Sequence, residues 1–162
     1  MQRLWTPWRM AYMRGESGSS PGCLFCDKLA GDDDANYILH RGRHTFVMLN
    51  LYPYNNGHLM IAPYAHEASI ETLDPATLGE LMALSQRVIR VLRRAYAPHA
   101  FNLGANIGQA AGAGVADHVH LHIVPRWAGD TNFMATLAET RVIPEWVRET
   151  YERLKEIWPE VE

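Results

Sequence analysis

Cysteine is nearly missing from this chain: its 162 residues include two, Cys23 and Cys26, three apart in "GCLFC". Two thiols exclude the stapled framework of a small disulfide-rich domain, and their spacing points to a metal hook or a redox pair. Long apolar runs are missing too. No stretch approaches the ~20 residues that a membrane-spanning helix needs, and the opening "MQRLWTPWRM" lacks the apolar core of a signal peptide. Charge of one sign is not in excess. A formal net charge of −3 gives no basic surplus for bulk nucleic-acid binding, while leaving room for a local anion pocket. The expectation is a cytoplasmic protein with no nucleic-acid partner and no membrane partner. What the chain does have is an ordinary globular composition, 48% hydrophobic and 20% charged, and the length for one domain with a proper core.

Residues 1–20 stand apart by composition. They carry Trp5, Pro7, Trp8 and Tyr12 and then "GESGSSPG", a loop by its glycine, serine and proline content. So short and polar a loop cannot bury these rings by itself, so the segment is expected to pack near a subunit boundary or the mouth of the site. Residues 21–162 read as a single domain. Strands are predicted over 36–41 and 44–50 with a turn at Gly42, and a third runs through "HLMIAPYAH" to Pro63. From Pro75 to Ala97 the apolar residues Leu78, Leu81, Met82, Leu84, Val88, Ile89, Val91 and Leu92 recur at helical spacing, with Asp74 as N-cap. "FNLGANIG" reads as a strand, "QAAGAGVAD" as a small-residue loop, "ADHVHLHIVPRW" as a further strand and "IPEWVRETYERLKEIW" as a second helix. The order β, β, β, α, β, β, α with hairpin-like links predicts an α+β domain. Its parts are a mostly antiparallel sheet of about five strands, a long helix and a C-terminal helix.

The stretch from 116 to 127 carries the chemistry. In an extended strand successive side chains alternate faces, so His118, His120 and His122 point one way and Val119, Leu121 and Ile123 point into a core. A solvated strand face favours Thr, Lys and Glu, whereas imidazole titrates near neutral pH. Three on one face leave a metal site, a nucleophile row, or both, against the plainer reading of a polar outer face. The preceding "GQAAGAG" has three glycines and three alanines, small enough to bring backbone N–H groups close to a phosphate, although a flexible connector has the same composition. A neutral imidazole beside such a cradle attacks phosphorus and forms a phosphoramidate, while the cradle holds the developing charge. A mononuclear metal hydrolase would want an added carboxylate, and Asp117, next to His118, points to the opposite face.

Cys23 and Cys26 have the spacing that lets two thiolates grip one zinc, with two nitrogen ligands completing a tetrahedron. Candidates are His40, His44, His58, His66, His99 and the three strand histidines. A redox pair would open a helix in a βαβ setting, which this order lacks, and two buried spare cysteines are the remaining alternative.

Together these blocks resemble the histidine-triad family, whose signature of His-x-His-x-His and two apolar residues is matched by His118-Val119-His120-Leu121-His122-Ile123-Val124. The resemblance extends in order from "GCLFC" through "NLYPYNNGHLMIAPYAH" to "GANIGQAAGAGVADHVHLHIVPRW". It implies an antiparallel sheet with a long helix, a side-by-side homodimer, and nucleotidyl transfer or hydrolysis through a covalent nucleotidyl-histidine. By the resemblance His120 is the nucleophile, His118 and His122 flank it, and His58 completes the cluster. Asn50 falls at the ribose position. Asn106 falls near the phosphate-side asparagine, one residue further from the triad, which implies a one-residue loop insertion. Gly112, Ala113, Gly114 and Val115 fall on the phosphate side. Many members carry Ser or Thr where this chain has Val115, and the backbone amides of Ala113 to Val115 are the expected substitute. Members that bind zinc imply a structural ion on Cys23, Cys26, His66 and His118.

"PRWAGDTNFM" and "RLWTPWRMAYM" resemble the bacterial branch similar to diadenosine tetraphosphate phosphorylases, which cleave a dinucleoside polyphosphate with phosphate rather than water. The implied ligand is an adenine nucleotide or dinucleoside polyphosphate. Arg126 and Asp130 to Asn132 are candidates for substrate or subunit contact, with strand termination and a turn as the plain alternative. Two other readings stay open. One is a hydrolase of nucleoside phosphoramidates or dinucleoside polyphosphates; the other is a nucleotide-binding, zinc-stabilised interaction module with little turnover.

Overall fold

β2 (Thr45–Leu49) and β3 (Leu59–Pro63) are buried at every position, which requires cover on both faces of a sheet. A computed structural model describing residues 22–130 and 145–161 supplies that cover. Among the described residues, β1 (Ile38–Arg41), β2, β3, β4 (Ala100–Ala105) and β5 (Leu121–Arg126) form one sheet in the order β1-β2-β3-β5-β4. Every neighbouring pair is antiparallel. Side chains alternate as the pleat demands. Val47, Leu49, Leu59, Ile61 and Ile123 enter one core with helices α3 (Pro75–Tyr96) and α4 (Val147–Ile157). Phe46, Met48, Met60 and Ala62 enter a second, smaller core with Phe25 of the short helix α1 (Leu24–Leu29). Each fully buried Leu, Ile or Phe contributes about 1.5–3 kcal/mol. The expected α+β architecture is what forms.

α3 begins as the sequence predicts. The Asp74 carboxylate accepts from the Ala76 and Thr77 amides at 2.9 and 3.0 Å, and Pro75 occupies the first turn. Leu81, Leu84, Val88, Val91 and Leu92 face the sheet, but Leu78 and Met82 are exposed, so the buried stripe is narrower than the apolar one. Glu80 ties the helix to the β1–β2 turn, accepting from the Arg43 and His44 amides at 2.7 and 2.6 Å and from the Thr45 hydroxyl at 3.0 Å.

Four boundaries differ by two residues or more. The first strand starts at Ile38 rather than 36, because the run of aspartates caps and fills a helical turn, α2 (Asp33–Asn36), whose Asp32 side chain accepts from the Ala35 amide at 2.9 Å. Tyr37 ends that turn with a left-handed φ of 57°. The "FNLGANIG" strand stops at Ala105. The triad strand starts at Leu121, so His118 and His120 lie on the approach to it, and Leu121 is only half-buried outside both cores. The second helix begins at Val147. Trp5, Trp8, Tyr12 and the whole 1–20 segment lie outside the described residues, as do Thr131 and Asn132.

Candidate active site and metal centre

The three histidines share the face of the second core, opposite Val119 and Ile123, as alternation requires. His118 and His120 are buried and His122 is half-buried. Their roles separate at the ring nitrogens. Nε2 of His118 lies 2.9 Å from the Pro63 carbonyl, and a carbonyl only accepts, so this nitrogen carries the proton and Nδ1 is left with its lone pair. Nδ1 of His120 donates in the same way to the His118 carbonyl at 2.9 Å. The free lone pair of His120 is therefore on Nε2.

His58, buried just before β3, completes a second chain of bonds. The Tyr54 amide donates to His58 Nδ1 at 3.1 Å, with the Asn50 amide nitrogen 3.3 Å from the same atom. His58 Nε2–H then donates to His122 Nδ1 at 2.9 Å, which leaves the proton of His122 on Nε2. The rings of His120 and His122 are 4.7 Å apart. Burial, followed by the neighbouring imidazoles, pushes His58 down to about 3. Burial and then His120 push His122 down to about 4. His120 is lowered too, by burial, against the opposing pull of the His118 carbonyl. All three rings are neutral at physiological pH, the form in which an imidazole nitrogen attacks.

The remaining nitrogen of His118 faces a different set of groups. Its Nδ1 lies 3.2 Å from Cys23 Sγ and 3.7 Å from Cys26 Sγ, and Cys26 Sγ lies 3.4 Å from His66 Nδ1. The four ligand atoms all fall within 4.8 Å of one another. Tetrahedral zinc with two sulfur and two nitrogen ligands sets such separations at roughly 3.3–3.8 Å. The donor set fits zinc in type and number, the three sulfur–nitrogen distances lie close to that range, and the Pro63 carbonyl fixes the tautomer that a ligand at Nδ1 needs. The thiol of Cys26 is pushed up, first by burial and then by the adjacent Cys23, a crowding of sulfur that a dication relieves. His40, His44, His58 and His99 stay out of the cluster. His40 packs its ring 5.1 Å from Trp158, and His99 accepts from the Ala128 amide at 2.8 Å.

The profile of the family described as HIT domain matches residues 32–129. The chain belongs to the HIT domain family. The AP-4-A phosphorylase of Mycobacterium tuberculosis is 41% identical across 98% of this chain and 85% of the relative. A Zn-bound histidine triad family protein from Mycobacterium smegmatis superposes with a TM-score of 0.70 at 26% identity, covering 86% of this chain and 95% of the other. A hypothetical histidine triad nucleotide-binding protein from Sulfolobus tokodaii gives 0.66 at 29% identity, covering 85% and 90%.

Within this HIT domain the other predicted residues fall as follows. Asn50 lies beside His58, its carbonyl oxygen accepting from the Tyr52 amide at 2.9 Å. Asn106 reaches the Gly112 carbonyl at 3.5 Å, so it braces the small-residue loop. Within that loop the Ala113 amide already donates to the Gly108 carbonyl at 3.4 Å, whereas the Gly114 and Val115 amides make no backbone bond among the described residues. The side chain of Val115 packs against the second core. Arg126 grips Asp130 at 2.6 and 2.7 Å, and Asp130 also accepts from Asn55 at 2.9 Å and from the Trp127 amide at 3.1 Å. This favours the turn reading for those two residues. The sequence reasoning missed Phe25, whose ring lies 4.7 Å from that of His120. Its signal was an aromatic residue between two predicted metal ligands.

Proposed function

We propose that this HIT protein transfers a nucleotidyl group from a dinucleoside polyphosphate, such as diadenosine tetraphosphate, to inorganic phosphate through a nucleotidyl-histidine. Nε2 of His120 attacks the α-phosphorus. The N–P bond forms as the bond from that phosphorus to the bridging oxygen breaks, and a nucleoside triphosphate leaves. A phosphate oxygen then displaces the histidine from the same phosphorus, giving a nucleoside diphosphate and restoring the imidazole. His122 Nε2–H, held in place by His58, donates to the phosphoryl oxygens, and the amides of Gly114 and Val115 face the charge as it grows. Asn50 is assigned to the ribose and Asn106 to shaping the loop on the phosphate side.

The observation that carries this reading is the free Nε2 of His120, made by the bond from its Nδ1 to the His118 carbonyl. The choice of phosphate over water is supported by the relative named AP-4-A phosphorylase. Cys23, Cys26, His66 and His118 are the residues that would hold zinc, a reading supported by their geometry and by the Zn-bound relative. When bound, zinc would cross-link the α1 end of the chain to the triad segment and is assigned no chemical step. A homodimer through the free edge of β4 is part of the proposal, supported by the exposure of Leu103 and Ile107 along that edge. So is a cytoplasmic location, supported by two free thiols. No helix among the described residues is long and apolar enough to cross a membrane.

The test is product analysis with diadenosine tetraphosphate. ADP and ATP appearing together only when phosphate is supplied is the expected result. AMP and ATP released equally well without phosphate would make the protein a hydrolase, and no cleavage under either condition would leave only a binding module.

A further inference from the structure

The two residues between Cys23 and Cys26 are treated very differently. Leu24 is 40% exposed and Phe25 is 1% exposed. Phe25 turns inward, and its ring meets more than core. It lies 5.1 Å from the His118 ring and 4.7 Å from the His120 ring, tilted 47° and 43° to them, while Phe46 stands edge-on at 6.3 Å. The rings of Phe25 and His122 are each centred 4.7 Å from that of His120. One hydrogen bond, from Nδ1 to the His118 carbonyl, fixes its tautomer. One bond leaves an imidazole free to rock about it, so the neighbouring rings are what set where Nε2 points. Phe25 suits this because it has no polar atom to compete for that lone pair.

The cysteines on either side of Phe25 in the sequence approach the histidines of the candidate metal site. Cys23 precedes Phe25 by two residues and approaches the His118 ring at 3.2 Å; Cys26 follows it and approaches His66 at 3.4 Å. The matched HIT region begins at residue 32, so the hook and Phe25 lie before it. A hook serving only to anchor the chain has no need of an aromatic ring on the catalytic imidazole. We propose that Phe25 is a positioning residue for His120, and that the Cys23–Cys26 hook holds it there. This rests on the reading of His120 as the nucleophile.

Phe46→Leu is the matched control, because Phe46 is equally buried in the same core and has no ring contact with His120. Both variants, Phe25→Leu and Phe46→Leu, are assayed for steady-state turnover, zinc content and thermal stability. In F25L, kcat is expected to fall ~10–100-fold with KM within about twofold, the size of effect that a misplaced reacting group produces. F46L is expected to lose comparable stability with kcat nearly unchanged. Equal losses of kcat in the two variants, an F25L kcat close to the unaltered protein, or a selective loss of zinc from F25L would overturn the proposal. A second measurement needs no variant. In labelled, unaltered protein the Phe25 ring protons are expected to show nuclear Overhauser contacts to the His120 ring carbon protons, and their absence would overturn it too. If instead His120→Ala retained turnover, the nucleophile reading would fail, while the measured ring contact would still stand.

Discussion

His118 and His122 sit four residues apart and share one face, yet their ring nitrogens meet different sets of partners. Each ring has two nitrogens, and a hydrogen bond to the backbone or to a neighbouring side chain engages one of them. The Pro63 carbonyl takes the Nε2 proton of His118 and so turns its lone pair toward two sulfurs. His58, itself fixed by the Tyr54 amide, fills Nδ1 of His122 and so turns its proton toward the open face. His120, between them, has its Nδ1 proton taken by a carbonyl and keeps a lone pair for phosphorus. One side is built for holding and the other for reacting. What separates them is the hydrogen-bond partner of the second nitrogen, not the residue type.

The largest break in that comparison is His120→Ala. It removes the group that the proposed mechanism nucleotidylates, so turnover is expected to fall by at least ~10³-fold. Nucleotide binding and melting temperature should stay close to those of the unaltered protein. A variant that still turns over substrate at a near-normal rate would sink the covalent mechanism.

Next in size is the separation of the holding side from the reacting side. His66→Ala or a strong chelator should empty the hook and lower the melting temperature. The stabilisation lost is about 4 kcal/mol where free zinc exceeds its Kd about a thousandfold. His122→Ala should keep about one zinc per chain while losing activity. Elemental analysis decides this: equal zinc in the His66 and His122 variants would dissolve the division between the two centres.

How much of this division was legible before the structure follows from the same atoms. Period-two alternation placed all three histidines on one face, and C-x₂-C spacing marked the hook. The α3 cap followed from Asp74 and Pro75. Those are local regularities, and sequence carries them. The tautomers depend on Pro63 and Tyr54, which come from β3 and the turn before it, so no pattern near residue 118 announces them. Spacing alone left five other histidines as ligand candidates, and only the pairing of β3 with β5 brings His66 to the hook. Helices α1 and α2 were missed because six- and four-residue helices show no periodicity to read.

The reacting side should also reveal itself in acid. Unfolded imidazoles take up protons near pH 6.5, whereas His122 and His58 stay neutral in the fold down to about 4 and about 3. Over that window the unfolded chain binds more protons, so stability falls as pH falls from 6.5 toward 4, by at most about 1.4 kcal/mol per pH unit for each group. Acid also competes with zinc for the hook, with the same sign. His58→Gln isolates the relay: its amide replaces both hydrogen bonds without a titrating ring, and urea melts from pH 7 to 4 should show a shallower dependence. Parallel curves for the two proteins would mean that the relay contributes nothing to the acid sensitivity.

The smallest effect is expected at Val115, where the cradle adjoins both sides. Many relatives by resemblance place a hydroxyl here, but this side chain packs against the core that holds Phe25 and Met60. The free amides of Gly114 and Val115 lie on the same loop. Threonine has nearly the shape of valine, so V115T tests whether a hydroxyl is wanted without reshaping the loop. Because the side chain packs against an apolar cluster, adding a hydroxyl should cost roughly 1 kcal/mol of stability. It should leave kcat within about threefold, less than 1 kcal/mol in the barrier. In the proposed reaction the phosphoryl oxygens are met by these amides, which move only if the backbone moves. A tenfold or greater rise in kcat for V115T would show that the hydroxyl had been missing from the reaction and that the amides were a poor replacement.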